Sequence, residues 1–164
     1  MSGLQPPLNQ DYTREDAARR LASYMHGHIP MVTQMQVKVA GFDASGLRLT
    51  APLAPNINHE RTAFGGSLAS LMTLACWGYL WLLLEDHTGL HIVVNEAKID
   101  YLRPVTATLD ALCPPPETAV LERFRETFAR RGKARIELKS EMLQDGTPAA
   151  RYTGSFVVYR DTTE

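Results

Sequence analysis

The chain has 164 residues and a formal net charge of −1, which fits one domain with a sizeable core and excludes a strongly basic, nucleic-acid-binding surface. Hydrophobic residues make up 45% of the sequence and charged residues 21%, the balance of an ordinary soluble globular protein. Cys76 and Cys113 both lie in apolar runs, so we expect reduced core thiols in a cytoplasmic protein and no disulfide framework.

The first third of the chain predicts a leader, a helix and a β-hairpin. Residues 1–13 contain two adjacent prolines and no signal-peptide pattern, which predicts a loose leader ahead of a single domain over 14–164. Residues 14–28 carry apolar side chains at helical spacing, and Thr13 is a plausible N-cap. Residues 35–43 and 46–53 alternate between apolar and polar, with a turn between them.

The next segment is the most unusual part of the sequence. The 23 residues from Thr62 to Leu84 carry no charge, a length that makes them a formal candidate for a membrane span. Small and hydroxyl residues dilute their hydrophobicity, and the flanks show no Lys/Arg asymmetry. We therefore predict no membrane span, and instead a long apolar helix over 63–85 at the centre of the domain.

The second half alternates again and predicts four strands with one helical excursion. The strands are predicted at 91–105, 107–113, 133–143 and 149–160, and the helix at 117–132. In the first of these strands, Val93, Ala97, Ile99 and Tyr101 are expected on one face. Together with the hairpin, these elements predict an α+β fold in which an antiparallel sheet wraps around the long central helix.

The start of the long helix is the candidate site. Gly65 and Gly66 occupy the first turn, where N–H groups lack intrahelical partners, and the helix dipole favours an oxygen that gains negative charge there. Asn58 lies seven residues before Gly65, in a loop that can return its amide to the same place. The same residues also fit a plain structural role, in which Asn58 caps a turn and the glycines allow close packing.

Other polar groups near this stretch are weaker candidates. Ser67, Ser70 and Thr73 share one stripe of the helix and either line a pocket or bond the carbonyl a turn back, the second being favoured for Ser70. His59 and Glu60 adjoin the loop, either as acid–base candidates or as part of a solvated rim. No cluster of cysteines, histidines or carboxylates has zinc-site spacing, so we expect no metal.

A compact basic cluster is the last group of candidate site residues. Arg130, Arg131 and Lys133 lie where the last helix enters a strand. Such a run is ordinarily a solvated face, and the alternative is a site for the phosphates of coenzyme A or of an acyl carrier protein.

The segments APNINHERTAFGGSLASLMTLACWGYLW and YLRPV resemble the YiiD C-terminal-domain group of hotdog-fold thioesterases, and the likeness covers most of the chain. The resemblance implies the hotdog fold, a homodimer or higher homo-oligomer with sites at subunit interfaces, and an acyl-CoA or acyl carrier protein substrate without a separate cofactor. It also implies that Asn58, Gly65 and Gly66 polarise the thioester carbonyl, with Phe64 and Ser67 contacting the substrate.

One position departs from the pattern of related hotdog thioesterases. They carry a carboxylate where this chain has Thr73, and often a histidine where it has Phe64. Hydrolysis needs a nucleophile or a base that activates water. The departure at Thr73 therefore leaves three readings open: a thioesterase, a malonyl-acyl carrier protein decarboxylase that uses the same oxyanion site, and a non-catalytic acyl-thioester-binding protein.

Overall fold

The computed structural model describes residues 13–84 and 88–161. The predicted leader, apart from Thr13, lies outside these residues, as does the predicted helix end at position 85. Four helices and six strands follow in chain order, together with a 3₁₀ turn at Ala54–Asn56. They are α1 (Arg14–His28), α2 (Pro30–Gln34), β1 (Lys38–Asp43), β2 (Gly46–Ala51), α3 (Gly65–Leu83), β3 (Leu90–Tyr101), β4 (Leu109–Cys113), α4 (Thr118–Arg131), β5 (Lys133–Gln144) and β6 (Thr147–Arg160).

The six strands form one antiparallel sheet in the order β1-β2-β4-β5-β6-β3. Helix α3 packs against five of the six strands, so the predicted α+β hotdog architecture is confirmed. Strands β5 and β6 make the long hairpin that the sequence indicates, and Asp145 and Gly146 form its turn with φ of 52° and 71°. A two-residue turn with both φ positive matches the right-handed twist of the strands that it joins.

Helix α3 is the centre of the core. By length and composition alone it could cross a membrane, with a mean hydropathy of 1.4, but 61% of that segment is buried inside the fold. Gly78 lets the helix approach β2, because a Cβ there would lie 2.9 Å from the Leu47 side chain. A fully buried leucine such as Leu71 or Leu80 contributes roughly 1.5–3 kcal/mol by leaving water, so the sheet holds this helix firmly.

Helix α1 begins with the N-cap that the sequence predicts. The Thr13 side chain accepts a hydrogen bond from the Asp16 N–H at 3.1 Å, and the Asp16 carboxylate accepts one from the Thr13 N–H at 3.1 Å. This capping box satisfies two of the N–H groups that every helix start leaves open. Ala17, Leu21 and Met25 form its buried face.

Two local predictions were wrong. The first strand begins at Lys38 and not at residue 35, because Pro30 starts a short helix, α2, that the alternation concealed. In β3, a bulge between Val94 and Glu96 shifts the register. Directly paired residues share a face, so Val94 faces α3 with Ala97, Ile99 and Tyr101, whereas Val93 lies on the opposite face. A strict period of two cannot anticipate the residue that a bulge inserts.

Candidate functional site

The start of α3 presents backbone N–H groups without partners. Phe64 is the N-cap and supplies no side-chain bond, while its carbonyl accepts from the N–H groups of Ser67 and Leu68 at 2.9 and 3.1 Å. The N–H groups of Gly65 and Gly66 donate no hydrogen bond within the described part of the chain. Two N–H groups at the positive end of a 19-residue helix make an environment that stabilises a negatively charged oxygen.

Aromatic rings lie around the two glycines. The Phe64 ring occupies the place of a side chain on Gly66, since a Cβ there would lie 2.3 Å from Phe64 Cε1. At Gly65 a Cβ would lie at an ordinary 3.6 Å from the Tyr101 ring, and the Tyr101 hydroxyl donates to the Gly65 carbonyl at 3.1 Å. A side chain at position 66 would have to displace the exposed Phe64 ring, whereas a Cβ at position 65 would make only ordinary van der Waals contact.

The Asn58 side chain forms hydrogen bonds within the loop that contains it. Its Oδ1 accepts from the N–H groups of Glu60 and Thr62 at 2.9 and 3.1 Å, and its Nδ2 donates to Thr62 Oγ1 at 3.0 Å. This arrangement holds Arg61 at φ 63°. The bonds correspond to the structural alternative of the sequence analysis, but they engage only one of the two Nδ2 hydrogens, so one amide N–H is still available for a ligand.

Asn56 anchors the loop to the fold, a role that the sequence analysis missed. Its side chain is buried and its Nδ2 donates to the carbonyls of Met35 and Pro52 at 3.0 and 2.8 Å. Its own carbonyl accepts from the Phe64 N–H at 2.7 Å. Asn56 therefore fixes where α3 starts, and its position two residues before Asn58 was the only sequence signal.

The hydroxyl groups of α3 that bond a backbone carbonyl are not those that the sequence favoured. Thr73 donates to the Ala69 carbonyl at 2.8 Å, which is the structural role that was favoured for Ser70. Ser67 and Ser70, both half-buried, donate no side-chain hydrogen bond within the described residues. Of the two, Ser67 lies in the first turn of α3, next to the open N–H groups.

Behind Thr73, the core contains a polar strip. Burial raises the pKa of Tyr152, and the Thr73 hydroxyl beside it partly opposes that shift. The neighbouring Cys76 thiol, together with burial, raises the pKa of Cys113. Both cysteines are free and buried, as the sequence predicts. The strip contains no carboxylate, so it offers no ionised base to the helix start.

The remaining predicted residues lie at the surface. The side chains of His59 and Glu60 are 87% and 73% exposed and pair at 3.1 Å. Arg131 and Lys133 line a hollow of about 350 Å³ together with Arg160, and Arg130 is not among its lining residues. Within the described residues, no group of three or more histidines, cysteines and carboxylates is placed to hold a metal ion.

One chain does not bring the basic cluster to the helix start. Lys133 pairs with Tyr159, and Arg160 pairs with Leu90 at the beginning of β3. Tyr101, which bonds Gly65, is at the other end of that strand. Twelve strand residues separate the two ends by about 36 Å, so the predicted phosphate-binding residues and the predicted carbonyl site lie far apart in a single chain.

Known structures show how widely this architecture recurs. A protein of unknown function from Chlorobaculum tepidum is 32% identical, with a TM-score of 0.86 over 93% of this chain and 100% of that one. A structure described as a thioesterase of putative function from Shewanella oneidensis is 34% identical, with a TM-score of 0.77 over 88% of this chain and 99% of that one. A Pseudomonas aeruginosa protein at 21% identity and a TM-score of 0.73, over 87% and 96% of the two chains, shares the fold.

The family model described as "Putative thioesterase (yiiD_Cterm)" matches residues 18–160. This range runs from α1 to the end of β6 and contains the Asn58 loop, the helix start and the whole sheet. The chain belongs to this YiiD C-terminal family of hotdog-fold thioesterases.

Proposed function

We propose that the protein hydrolyses the acyl thioester of coenzyme A or of an acyl carrier protein. The observation that carries this proposal is the pair of open N–H groups, Gly65 and Gly66, at the start of the buried helix α3. Family membership supports the reaction class. A thioester carbonyl placed against these groups would have its developing negative charge stabilised at the positive end of the helix.

In this reaction, water adds to the carbonyl carbon and the C–S bond breaks. The water oxygen stays with the acyl group as a carboxylic acid, and the sulfur leaves as a thiol with one of the water protons. The exposed Phe64 ring, beside Gly66, excludes water from one side of the oxyanion and so strengthens its hydrogen bonds. Asn58 contributes its second amide N–H, and Ser67 contacts the substrate at the same turn.

Hydrolysis needs a base that activates water, whereas the second candidate reaction, decarboxylation, does not. The Thr73 hydroxyl is bonded to Ala69 and is no replacement for a carboxylate. His59 and Glu60 are acid–base groups on the Asn58 loop, and we propose His59 as the residue that activates water. Decarboxylation of a malonyl thioester needs only oxyanion stabilisation and no such base, so the identity of residue 73 favours it as the alternative.

For the carrier we propose the basic hollow at the opposite end of the sheet. Arg131, Lys133 and Arg160 place three cations around about 350 Å³, a suitable environment for the phosphates of coenzyme A or phosphopantetheine. Asp161 also lines the hollow but is paired with His91 at 3.0 Å. Arg130 then adds positive potential from the last turn of α4 rather than a direct contact.

We further propose that the working form is a homodimer in the cytoplasm. The outer edge of β3 pairs with no other strand of the described sheet, and apolar Val93, Val94, Tyr101 and Leu102 are 42–56% exposed along or beside it. Two copies of such an edge complete each other's backbone hydrogen bonds. Free, buried cysteines suit a reducing compartment.

Product identification tests the reaction. The protein is incubated with acetyl-, hexanoyl- and benzoyl-coenzyme A and with a malonyl carrier protein. Release of a free thiol supports hydrolysis, and release of CO₂ with an intact acetyl thioester supports decarboxylation. If neither product forms, the protein binds acyl thioesters without turning them over. His59→Ala should abolish most hydrolysis and leave any decarboxylation unchanged.

The oxyanion site is tested by removing one N–H group. Gly65→Pro deletes the N–H of the first helical residue, where proline is well tolerated, and Phe64 already has the extended backbone that must precede a proline. We expect kcat to fall about 10²–10³-fold, as for the loss of other oxyanion donors. Gly65→Ala is the matched control, because its Cβ would lie at an ordinary contact distance of 3.6 Å from the Tyr101 ring and the N–H is kept.

Asn58→Asp tests the second proposed oxyanion donor, the side-chain amide of Asn58. The carboxylate keeps the acceptor that holds the Glu60 and Thr62 N–H groups but removes the amide donor. A loss of about 10² in kcat with unchanged melting temperature would support Asn58 as an oxyanion donor. Normal turnover would assign Asn58 to the loop alone.

A further inference from the structure

Two buried polar side chains hold backbone carbonyls in the fold, and they hold different parts of it. Of the polar and charged side chains that the structure describes, Asn56 and Ser140 are the two that are fully buried, at 2% and 1% exposure. Ser140 Oγ donates to the Met72 carbonyl at 3.0 Å, and Asn56 Nδ2 donates to the carbonyls of Met35 and Pro52 at 3.0 and 2.8 Å. The two side chains are alike in burial and in the kind of partner, so what each one positions can be compared directly.

The side-chain amide of Asn56 is fixed by its two donors. Because both partners are carbonyl oxygens, only the Nδ2 group can face them, and the orientation of the amide is unambiguous. Met35 ends α2 and Pro52 follows β2, so one amide joins both elements to the loop before α3. Its Oδ1 is buried and accepts no hydrogen bond from the described residues, which lowers stability. The fold therefore uses both donors of the amide although its oxygen stays unsatisfied.

The backbone of Asn56 transmits this fixed position to the start of α3. Its carbonyl accepts from the Phe64 N–H at 2.7 Å, and beside this bond Ile57 and Ala63 form an isolated β-bridge. Phe64 is the N-cap of α3, with φ −62° and ψ 130°, and the next N–H along the chain is the first open one, that of Gly65. A rotation about these two angles turns the Gly65 N–H, so the bond between Asn56 and Phe64 sets the direction of that group.

Ser140 holds α3 at a different place. Met72, whose carbonyl it bonds, lies about two helical turns beyond Gly65. The helix there is maintained by its own hydrogen bonds between successive turns. Loss of the Ser140 hydroxyl should therefore lower stability without changing the first turn, and the bond between Asn56 and Phe64 stays in place.

We infer that Asn56 is a positioning residue for hydrolysis, which acts through the Phe64 N–H to aim the open N–H groups of Gly65 and Gly66 at the oxygen that gains negative charge. This inference rests on the proposed function and deepens it. Asn56 acts through the backbone, because its own side chain is buried. Catalytic groups have to stay within about 0.5 Å of their working geometry, and a displacement of about 1 Å can lower turnover about 10²-fold, so a small movement of Phe64 is enough.

Asn56→Ser and Ser140→Ala form a matched pair. Serine has one donor, so the carbonyl of Met35 or of Pro52 loses its partner, and Ser140→Ala removes the buried bond to Met72. Both variants should melt several degrees lower than the unaltered protein. Asn56→Ser should lower kcat about 10²-fold with KM unchanged, because oxyanion donors act in the transition state, whereas Ser140→Ala should change neither constant. Equal kcat in the two variants would overturn the inference.

A second pair tests the backbone bond and leaves the buried amide untouched, so it decides the question even if Asn56→Ser does not fold. Phe64→Pro removes the N–H that donates to Asn56, and the φ of −62° at this position is one that proline adopts. Ala63, which precedes it, is extended in the β-bridge, as a residue before proline prefers to be.

Phe64→Ala is the control for this pair, because both variants lose the ring and only the proline variant loses the N–H. The kcat of Phe64→Pro should lie about tenfold or more below that of Phe64→Ala. Equal values would show that the hydrogen bond to Asn56 does not position the site.

A measurement without substrate separates this inference from the proposed function. The amide signals of Gly65 and Gly66 in nitrogen–proton correlation NMR spectra report the surroundings of their N–H groups. These two signals should shift in Asn56→Ser and keep their positions in Ser140→Ala. If the unaltered protein hydrolyses no thioester and the signals shift as expected, the hydrolase proposal fails and Asn56 still orients the helix start. Unshifted signals in Asn56→Ser would overturn the inference whether or not the protein is a hydrolase.

Discussion

The two edges of the sheet are built differently. At one edge, β1 has six residues, a bulge between Val39 and Gly41, and helix α1 packed against it. At the other, β3 has twelve residues and exposes Val93 and Val94 at 42% each. Short length, a bulge and a covering element protect an edge from pairing with another chain. The β3 edge has a bulge but is long and apolar.

This difference shows which edge is available for a second copy. Val94 and Tyr101 face the α3 side of the sheet, yet their side chains are 42% and 56% exposed. The same strand touches the candidate site through the Tyr101 bond to Gly65. The open edge, at which we propose that a second copy pairs, is therefore also the edge that contacts the candidate site.

The largest predicted effect comes from a charge on the open edge. Val94→Lys should convert the dimer into a monomer, since an inward-facing lysine on an edge strand cannot be buried against a second copy at low cost. Hydrolysis of benzoyl-coenzyme A should fall more than tenfold in the same variant. Size-exclusion chromatography with light scattering measures the oligomeric state.

Ala40→Lys supplies the matched charge on the protected edge. Ala40 is exposed in β1, so this lysine should leave the oligomeric state and turnover as they are. A Val94→Lys protein that remains dimeric, or an Ala40→Lys protein that dissociates, would contradict the assignment of the edges.

The contrast between the edges also marks the limit of sequence reasoning. Alternation and turn residues were enough for the long hairpin of β5 and β6, and the uncharged run was enough for the buried helix α3. The β3 bulge moved Val93 to the other face, and only pairing with β6 reveals it. The sequence likewise gave no sign that Arg131, at the end of α4, and Gly65, at the start of α3, lie near opposite ends of β3. That separation arises from the order of the strands in the sheet.

For the site, composition located the helix start but not its surroundings. The unpaired N–H groups of Gly65 and Gly66 follow from any helix that begins without a capping side chain. Tyr101 is 36 positions away in sequence from the carbonyl to which it donates, so no local pattern could connect them. Asn58 shows the opposite case, since its bonds are all within four residues and correspond to the turn-capping alternative.

An intermediate effect is expected where the open edge meets the site. Tyr101→Phe keeps the ring beside Gly65 and removes the hydroxyl that donates to its carbonyl at 3.1 Å. Because Tyr101 is 56% exposed, we expect a stability loss of about 0.5 kcal/mol, the low end for a hydrogen bond. Turnover should fall several-fold through displacement of the helix start, measured as kcat with KM unchanged. An unaltered kcat would show that this end of β3 does not position the site.

The smallest effect on assembly and turnover is expected at the protected edge, in the helix that packs against it. Hydrogen bonds from the Thr13 side chain and from Arg19 lower the pKa of Asp16 to about 2. Since this pKa lies below the unfolded value, the cap stabilises the helix above about pH 4 and loses its effect as the pH falls towards 2. Thr13→Ala should cost about 1 kcal/mol at neutral pH and flatten the acid side of the stability curve, measured by urea unfolding between pH 2 and 7. Because α1 packs mainly against β1, the dimer and kcat should be unaffected, and a loss of either would mean that the two edges are coupled through the sheet.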